Sequence, residues 1–405
     1  MNEPFVNGQR LWTNVLELGR IGKGERGVSR IAFSEADLHG RRWFLEKIKE
    51  AGLSATIDEV GNVFGWEPVS GSKKILVGSH LDTVPEGGMF DGALGVLCAL
   101  ECVQTIKERN IRLSHGIQIA GFSNEEGYPM GPGLFGSRYF AEGIGEKEHN
   151  VMEPFLAKAG FHGLGSGRNH GAFDPSDYLC YLELHVEQGG VLDSVKEHIG
   201  VVQGIVGIHR LEVRFNGVPN HAGTTPMNHR RDALLGAAAL ILELPDLVSK
   251  HGSDITVGTC GQVHVSPGAH NVIPGNVSIS IEVRDLEAET AENVLEALNR
   301  KSRDIAEKRS LSVEFSPVSK SSPAKMDGEI QAVILDTARS LGLSARLMPS
   351  GAGHDGAVFA KYVPTGMIFV PSRNGISHSP DEWTEPQDCV NGANVLLRTL
   401  LKLAR

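Results

Sequence analysis

GSHLDTVPEGGMFDG, residues 78–92, carries three candidate ligands, His80, Asp82 and Asp91, on one short connection. On its amino side Ile75-Leu76-Val77 is an apolar run of buried-strand type; on its carboxyl side Leu94, Leu97, Cys98, Glu101 and Cys102 recur at helical spacing. The stretch therefore joins a predicted strand to a predicted helix. In an open α/β sheet such loops gather at the carboxyl ends of the strands, where ligands bind. A neutral imidazole and a carboxylate suit zinc or a similar divalent ion, and a second carboxylate can orient the imidazole. On that reading His80 is a ligand, Asp82 its orienter and Asp91 a second ligand. The alternative is a polar, glycine-rich surface loop, because Gly, Asp and His are common in turns.

Upstream, residues 10–18 and 35–49 read as amphipathic helices, the second capped by Ser34, and residues 55–57 and 63–66 as strands. Downstream, the strand 117–122 ends in Ser123-Asn124-Glu125-Glu126-Gly127. Adjacent carboxylates repel, and a cation or full solvation must offset that. Residues 127–171 are rich in Gly, Pro and His and read as long loops around one helix near 153–159. Within them GLGSGRNHG, 163–171, fails the GxGxxG spacing of a phosphate loop and reads as a flexible loop. The strand 178–184 ends in His185-Val186-Glu187-Gln188-Gly189, and the last strand, 367–370, runs into Pro371 and on to His378. Before it come a helix at 330–341 and the glycine-rich loop Ser350-Gly351-Ala352-Gly353-His354-Asp355-Gly356.

Between 204 and about 316 the pattern changes to strand 211–215, helix 232–248, strands 255–265 and 277–283, helix 291–308 and strand 311–315. This β, α, β, β, α, β order is that of a ferredoxin-like unit. The expected architecture is thus α/β with two domains: a catalytic domain, 1–204 and 317–405, with a mixed central sheet and helices on both faces, and an inserted α+β lid or dimerisation domain, 205–316. A chain of 405 residues can support both cores. In the inserted domain His221, in NHAGTTP, and Asn271, in NVIPG, are residues that turn chemistry does not require. Arg284 ends the strand after the second loop, as a solvated edge charge or as a two-point anchor for a carboxylate.

Composition narrows the class. The net charge of −10, with no basic run, argues against a nucleic-acid surface. Five cysteines at 98, 102, 180, 260 and 389 form no CxxC pair and suit a reducing cytosol. Residues 1–12 have no signal-peptide pattern, and the apolar run 234–242 is far shorter than the ~20 residues of a membrane span. A cytoplasmic protein with no membrane partner is expected.

Collected, the strand ends supply His80, Asp91, Glu125 with Glu126, His185 and His378. This is the pattern needed for two metal ions bridged by one carboxylate and sharing a water, with one of the two glutamates left free as general base. The chemistry implied is hydrolysis of an amide-like bond. No GxSxG elbow competes with it.

GSHLDTV, the FDG at Asp91, NEEG, ELHVEQG, NHAGTTPM, NVIPG, SGAGHD and FVPSRNGISH together resemble the hydantoinase/carbamoylase group of dinuclear-metal amidohydrolases, over nearly the whole chain. The resemblance implies His80 and His185 on one metal, Glu126 and His378 on the other, Asp91 bridging and Glu125 as base. It also implies two ions drawn from zinc, manganese, cobalt or nickel, and a homodimer through the inserted domain with His221 reaching the partner's site. Gln188, Asn271 and Arg284 match substrate-binding positions, and His354 lies in a loop of the same pocket. The implied reaction converts an N-carbamoyl-L-amino acid to amino acid, CO2 and ammonia, with allantoate amidohydrolase or β-ureidopropionase as the alternative. A histidine at 185, where related carboxypeptidases and aminoacylases carry Asp or Glu, favours ureido substrates over the more distant aminoacylase or dipeptidase reading. Glu125 and His378 are both retained, which disfavours a non-catalytic metal-binding scaffold. Tyr128-Pro129-Met130 stands where members of the group follow EEG with a small residue and Arg-Phe, so the substrate's side chain is left open.

Overall fold

The computed structural model describes residues 4–67, 73–161 and 173–405. The chain divides into two compact units, Met1–Gln203 with Lys325–Arg405, and Gly204–Ala324. The run 163–171 lies outside the described residues.

The first unit is built on four parallel strands. Across the sheet they run Thr365–Val370, Tyr178–Val186, Lys74–His80 and Gly116–Phe122. Val63–Trp66 and Ser54–Ile57 continue it antiparallel on one side, and Ile199–Ile205 on the other, with Ala345–Ser350 paired to that strand. Side chains alternate between two cores. Ile75, Val77, Ile117, Ile119, Leu182 and Leu184 join one apolar cluster, whereas Leu76, Ala120, Phe122 and Tyr181 join another. A parallel sheet covered on both faces has this near-continuous apolar run.

Helix Ala93–Glu108 is buried almost all round and packs on these strands and on helix Pro386–Leu403. Gly92 precedes it at φ +63°, and a Cβ there would lie 2.4 Å from the His80 ring. Only glycine allows the chain to turn so close beside that imidazole. Helix Glu35–Glu50 begins as its sequence suggests: Ser34 Oγ accepts from the Asp37 N–H at 3.2 Å, with Glu35 and Asp37 in the first turn and Lys47 and Lys49 in the last.

The Gly204–Ala324 unit is a four-stranded antiparallel sheet ordered Val257–Ser266, Asn276–Asp285, Gly207–Asn216, Ser312–Lys320, with helices Ala233–His251 and Ala288–Lys308. Its core joins Leu211, Val213 and Phe215 to Leu240, Val294 and Leu298. The boundary expected at 316/317 falls inside strand Ser312–Lys320, which keeps its pairing with Gly207–Asn216 beyond Pro317 through a register shift. Where one helix was expected within 127–171, the described residues form two, Phe135–Glu142 and Glu146–Lys158. The first is only eight residues long and starts from Leu134 in the left-handed region, so no capping pattern announced it. Strands Ile199–Ile205 and Ala345–Ser350 were likewise unmarked in the sequence pattern.

Candidate metal centre and active site

Parallel register sets the site. His80 is level with Phe122, and His185 with Phe369, so four loops begin at the same edge of the sheet. They bring Asp91, Glu125, Glu126, Gln188 and His378 to one open cavity of about 310 Å³, walled also by Leu134, Ala352 and Gly353. Asp91 lies between three imidazoles. Oδ1 faces Nε2 of His80 at 3.4 Å and of His185 at 3.2 Å, while Oδ2 faces Nε2 of His378 at 3.2 Å. Glu126 Oε2 lies 3.4 Å from the same His378 nitrogen. Two donor groups, His80 with Asp91 and His185, and Asp91 with Glu126 and His378, thus share one carboxylate.

These spacings fit ligands of common ions, since donors about 2.0–2.1 Å from a tetrahedral ion stand about 3.3–3.4 Å apart. The imidazole tautomers agree. Nδ1 of His80 is 3.0 Å from the Asp82 carbonyl, and Nδ1 of His185 is 2.9 Å from the Val186 carbonyl. A carbonyl only accepts, so each ring proton sits on Nδ1 and each Nε2 turns its lone pair toward Asp91. The Gly92 N–H, donating to His185 Nε2 at 3.2 Å, supports that tautomer. Lone pairs and carboxylates crowded in a buried cluster repel, and cations between them remove the repulsion.

Without cations, protons would have to do so. Burial disfavours a charged His80, yet Glu125, Asp91 and Asp82 hold its pKa well above the usual imidazole value. Burial likewise opposes ionisation of Asp91, but His185, His378 and His80 bring its pKa well below the carboxylate range. Burial and the neighbouring Asp91 push Glu126 up to about 7. Glu125 belongs to neither donor group; its Oε2 is 3.7 Å from His80 Nε2, and burial carries its carboxyl well above the usual range.

Asp82 orients His80 through its main-chain carbonyl, not through its side chain, whose nearest oxygen is 3.9 Å from the ring. Its carboxylate instead accepts the backbone N–H groups of Glu125 and Glu126, each at 3.2 Å. The expected orienter therefore also fixes the Glu-Glu turn. Arg41 stands behind it, 4.0 Å from Asp82, and is paired with Asp37 at 2.8 Å; it donates to the Gly61 carbonyl at 2.7 Å.

Gln188 donates to Asp91 Oδ2 at 2.8 Å and lines the cavity. His354 is 1 % exposed and lies behind His185, with ring centroids 4.4 Å apart and Nε2 2.8 Å from Ser350 Oγ. Ala352 and Gly353 of its loop form the cavity wall. In the Gly204–Ala324 unit the His221 and Asn271 loops are joined: His221 bridges Val272, and the Ala222 N–H donates to the Asn271 carbonyl at 2.9 Å. Both residues are exposed. Arg284 lies near the opposite end of strand Asn276–Asp285, where it pairs with Glu282 at 2.6 Å. Eight strand steps from Asn276 to Arg284 span about 26 Å, so within this unit Arg284 is remote from His221 and Asn271.

Three groups escaped the sequence reading. Glu183 is a fully buried acid in an apolar strand, and it accepts from Ser79 Oγ at 2.8 Å and the Gly356 N–H at 2.9 Å. An acid inside such a strand is itself a readable signal. Asp37 and Arg41, four apart on a helix, look like an ordinary surface pair. Glu382, in a run of Ser, Pro and Asp, looks like a solvated turn.

Residues 76–402 match the model of peptidase family M20/M25/M40. The chain is 36 % identical over 409 residues to an N-carbamoyl-L-amino acid amidohydrolase of Geobacillus stearothermophilus, covering 99 % of this chain and 100 % of that one. It is 34 % identical over 417 residues to a ureidoglycolate hydrolase of Oryza sativa subsp. japonica, covering 100 % of this chain and 86 % of that one. Its structure is similar to that of an amidase of the hydantoinase/carbamoylase family from Burkholderia multivorans, with TM-score 0.91, 33 % identity and coverage of 99 % and 98 %.

Proposed function

The chain belongs to peptidase family M20/M25/M40, and we propose that it is a hydantoinase/carbamoylase-type amidohydrolase that converts an N-carbamoyl-L-amino acid to the amino acid, carbon dioxide and ammonia. The observation that carries this reading is the pair of donor groups sharing Asp91 beside an uncommitted Glu125, in a chain matched end to end by an N-carbamoyl-L-amino acid amidohydrolase. The match to a ureidoglycolate hydrolase over the whole of this chain keeps a second reading, hydrolysis of allantoate or a related ureido acid.

His80, His185 and Asp91 would hold one ion, and Glu126, His378 and Asp91 the other, the ions being zinc, manganese, cobalt or nickel. Such ions would polarise a ureido carbonyl and lower the pKa of a water at the site. Glu125 takes the proton of the attacking water and returns it to the leaving nitrogen as that C–N bond breaks, and the carbamate that remains loses CO2 and frees the other nitrogen. Asp82 keeps that carboxylate aimed by holding the backbone of its turn. Arg284 offers its planar fork to the substrate carboxylate, Asn271 and Gln188 bind the ureido acid, and His221 donates to the oxyanion as charge develops. His354 acts on the same site by backing His185.

A homodimer formed through the 204–324 unit would let these groups meet. Support comes from the length of strand Asn276–Asp285, since about 26 Å is too far for one small ureido acid to touch Arg284 and the His221 and Asn271 loops of one chain. His221 and Asn271 would then serve the partner's site, in the cytoplasm. Among the described residues no helix is long and apolar enough to cross a membrane. His221→Ala and Glu125→Gln chains, each nearly inactive alone, should regain activity when mixed dimers form, because one site then has both residues intact. Mixed dimers as inactive as their parents would refute the exchange.

Substrate is tested by ammonia release from allantoate, N-carbamoyl-β-alanine and several N-carbamoyl-L-amino acids, with N-acetyl amino acids and dipeptides followed by amine release. The expected result is a kcat/KM for an N-carbamoyl-L-amino acid at least tenfold above the controls, roughly the preference that one or two pocket contacts supply. Preference for allantoate would select the second reading, and activity only on the controls would overturn both.

A further inference from the structure

We infer that Glu382 is a positioning residue of the metal centre: its buried carboxylate ties the loop carrying Asp91 to the loop carrying His378 and so holds the two halves of the second ion's ligand set in register. The inference rests on the reading of Asp91 as the shared ligand and of His378 as a ligand of the second ion.

Glu382 is 3 % exposed, although its neighbours Pro380 and Asp381 are at the surface. Its Oε1 accepts two successive backbone N–H groups, those of Phe90 at 2.9 Å and Asp91 at 3.1 Å. Its Oε2 accepts from Ser377 Oγ at 3.0 Å, and the same hydroxyl lies 3.3 Å from Asp91 Oδ2. One carboxylate thus spans from the backbone of one ligand loop to the residue preceding the ligand in the other. Asp82 likewise accepts two successive backbone N–H groups, those of Glu125 and Glu126.

Packing outside the clamp reinforces it. Phe90, which precedes Asp91, and Trp383, which follows Glu382, meet edge to face at 5.5 Å, and both contact Trp12. Gly88 leaves room for the acid: a Cβ there would lie 2.1 Å from Glu382 Oε1 and 2.5 Å from its Cβ. Such an approach requires glycine.

The two ions depend on the clamp unequally. The Oδ1 side of Asp91 faces His80 and His185, whose rings are fixed by the sheet and by carbonyls at 3.0 and 2.9 Å. The Oδ2 side faces His378, which is half exposed on the loop that Glu382 anchors. Asp91 itself remains attached to the start of helix Ala93–Glu108 when Glu382 is removed. Loss of the clamp therefore lets His378 move away from Asp91 more than it disturbs His80 and His185.

The test is calorimetric titration of manganese into the metal-depleted full-length protein. The native chain is expected to take two ions. Glu382→Ala should weaken one of them about 10- to 100-fold, the usual consequence of losing an outer-shell partner, and leave the other near its native affinity. Glu382→Gln, whose amide oxygen still accepts from Phe90 and Asp91, should recover most of that loss. If Glu382→Ala does not fold, Ser377→Ala and Gly88→Ala carry the same expectation of a selective loss. Native affinity for both ions in the folded variants overturns the inference, and so does equal weakening of both, which would mark Glu382 as a general structural residue. A native chain that takes only one ion would instead overturn the two-ion reading and this inference with it.

Discussion

Glu125→Gln is expected to lower kcat about 10²- to 10⁴-fold, the span that general acid–base catalysis contributes, with KM and ion content close to native. The side chain is 9 % exposed, borders the cavity and lies outside both donor groups. Glutamine has the same shape and still accepts a hydrogen bond, but it carries no proton between water and leaving nitrogen. The neighbouring backbone is held by Asp82 through two N–H groups and does not depend on the Glu125 carboxylate. Steady-state kinetics together with metal analysis of the purified variant checks the expectation. Near-native turnover with both ions bound would rule out Glu125 as the base.

Asp91→Ala should have the larger effect, removing both ions and all measurable hydrolysis. Each oxygen of Asp91 faces a different imidazole set, His80 and His185 on one side and His378 on the other, and among the described residues no other belongs to both groups. The His80 ring keeps its contact with the Asp82 carbonyl and the His185 ring its contact with Val186, so the fold around them is expected to persist. A readout independent of activity is available. Ions that bind only the folded chain raise its stability by about 2.7 kcal/mol when present at 100 times their Kd. Thermal unfolding of the native protein should therefore rise with added manganese or zinc and fall on chelation, whereas Asp91→Ala should be indifferent to both. A native-like rise in the variant would mean that the ions are held elsewhere.

Both expectations begin from features legible in the sequence. Each of four apolar strands ends in ligand-type residues, and a strand's direction is fixed by its own covalent chain. Once the four strands run parallel, their carboxyl ends must lie together, and His80, Glu126, His185 and His378 are delivered to one edge. The β, α, β, β, α, β order of the inserted unit was readable for a similar reason, because alternation and helical period are local. The sequence could not assign a partner to an acid or a base hundreds of positions away.

Glu382 and Phe90 are 292 residues apart, and nothing local distinguishes Glu382 from a solvated turn. Asp37 and Arg41 have helical spacing whether they face water or the interior; packing against Gly61 and the end of strand Gly116–Phe122 buries them. Asp82 was expected to orient His80 through its carboxylate; the approach of the Glu125-Glu126 turn takes that carboxylate up, and the main-chain carbonyl meets the ring instead. The mixed α/β plan and the ligand-type residues at the strand ends were readable along the chain, because these follow from period, direction and residue type. The tertiary structure alone decided which oxygen of Asp91 faces which imidazole and which buried acids hold the loops, because hydrogen bonds and burial depend on distances that the chain sets only when its remote segments pack.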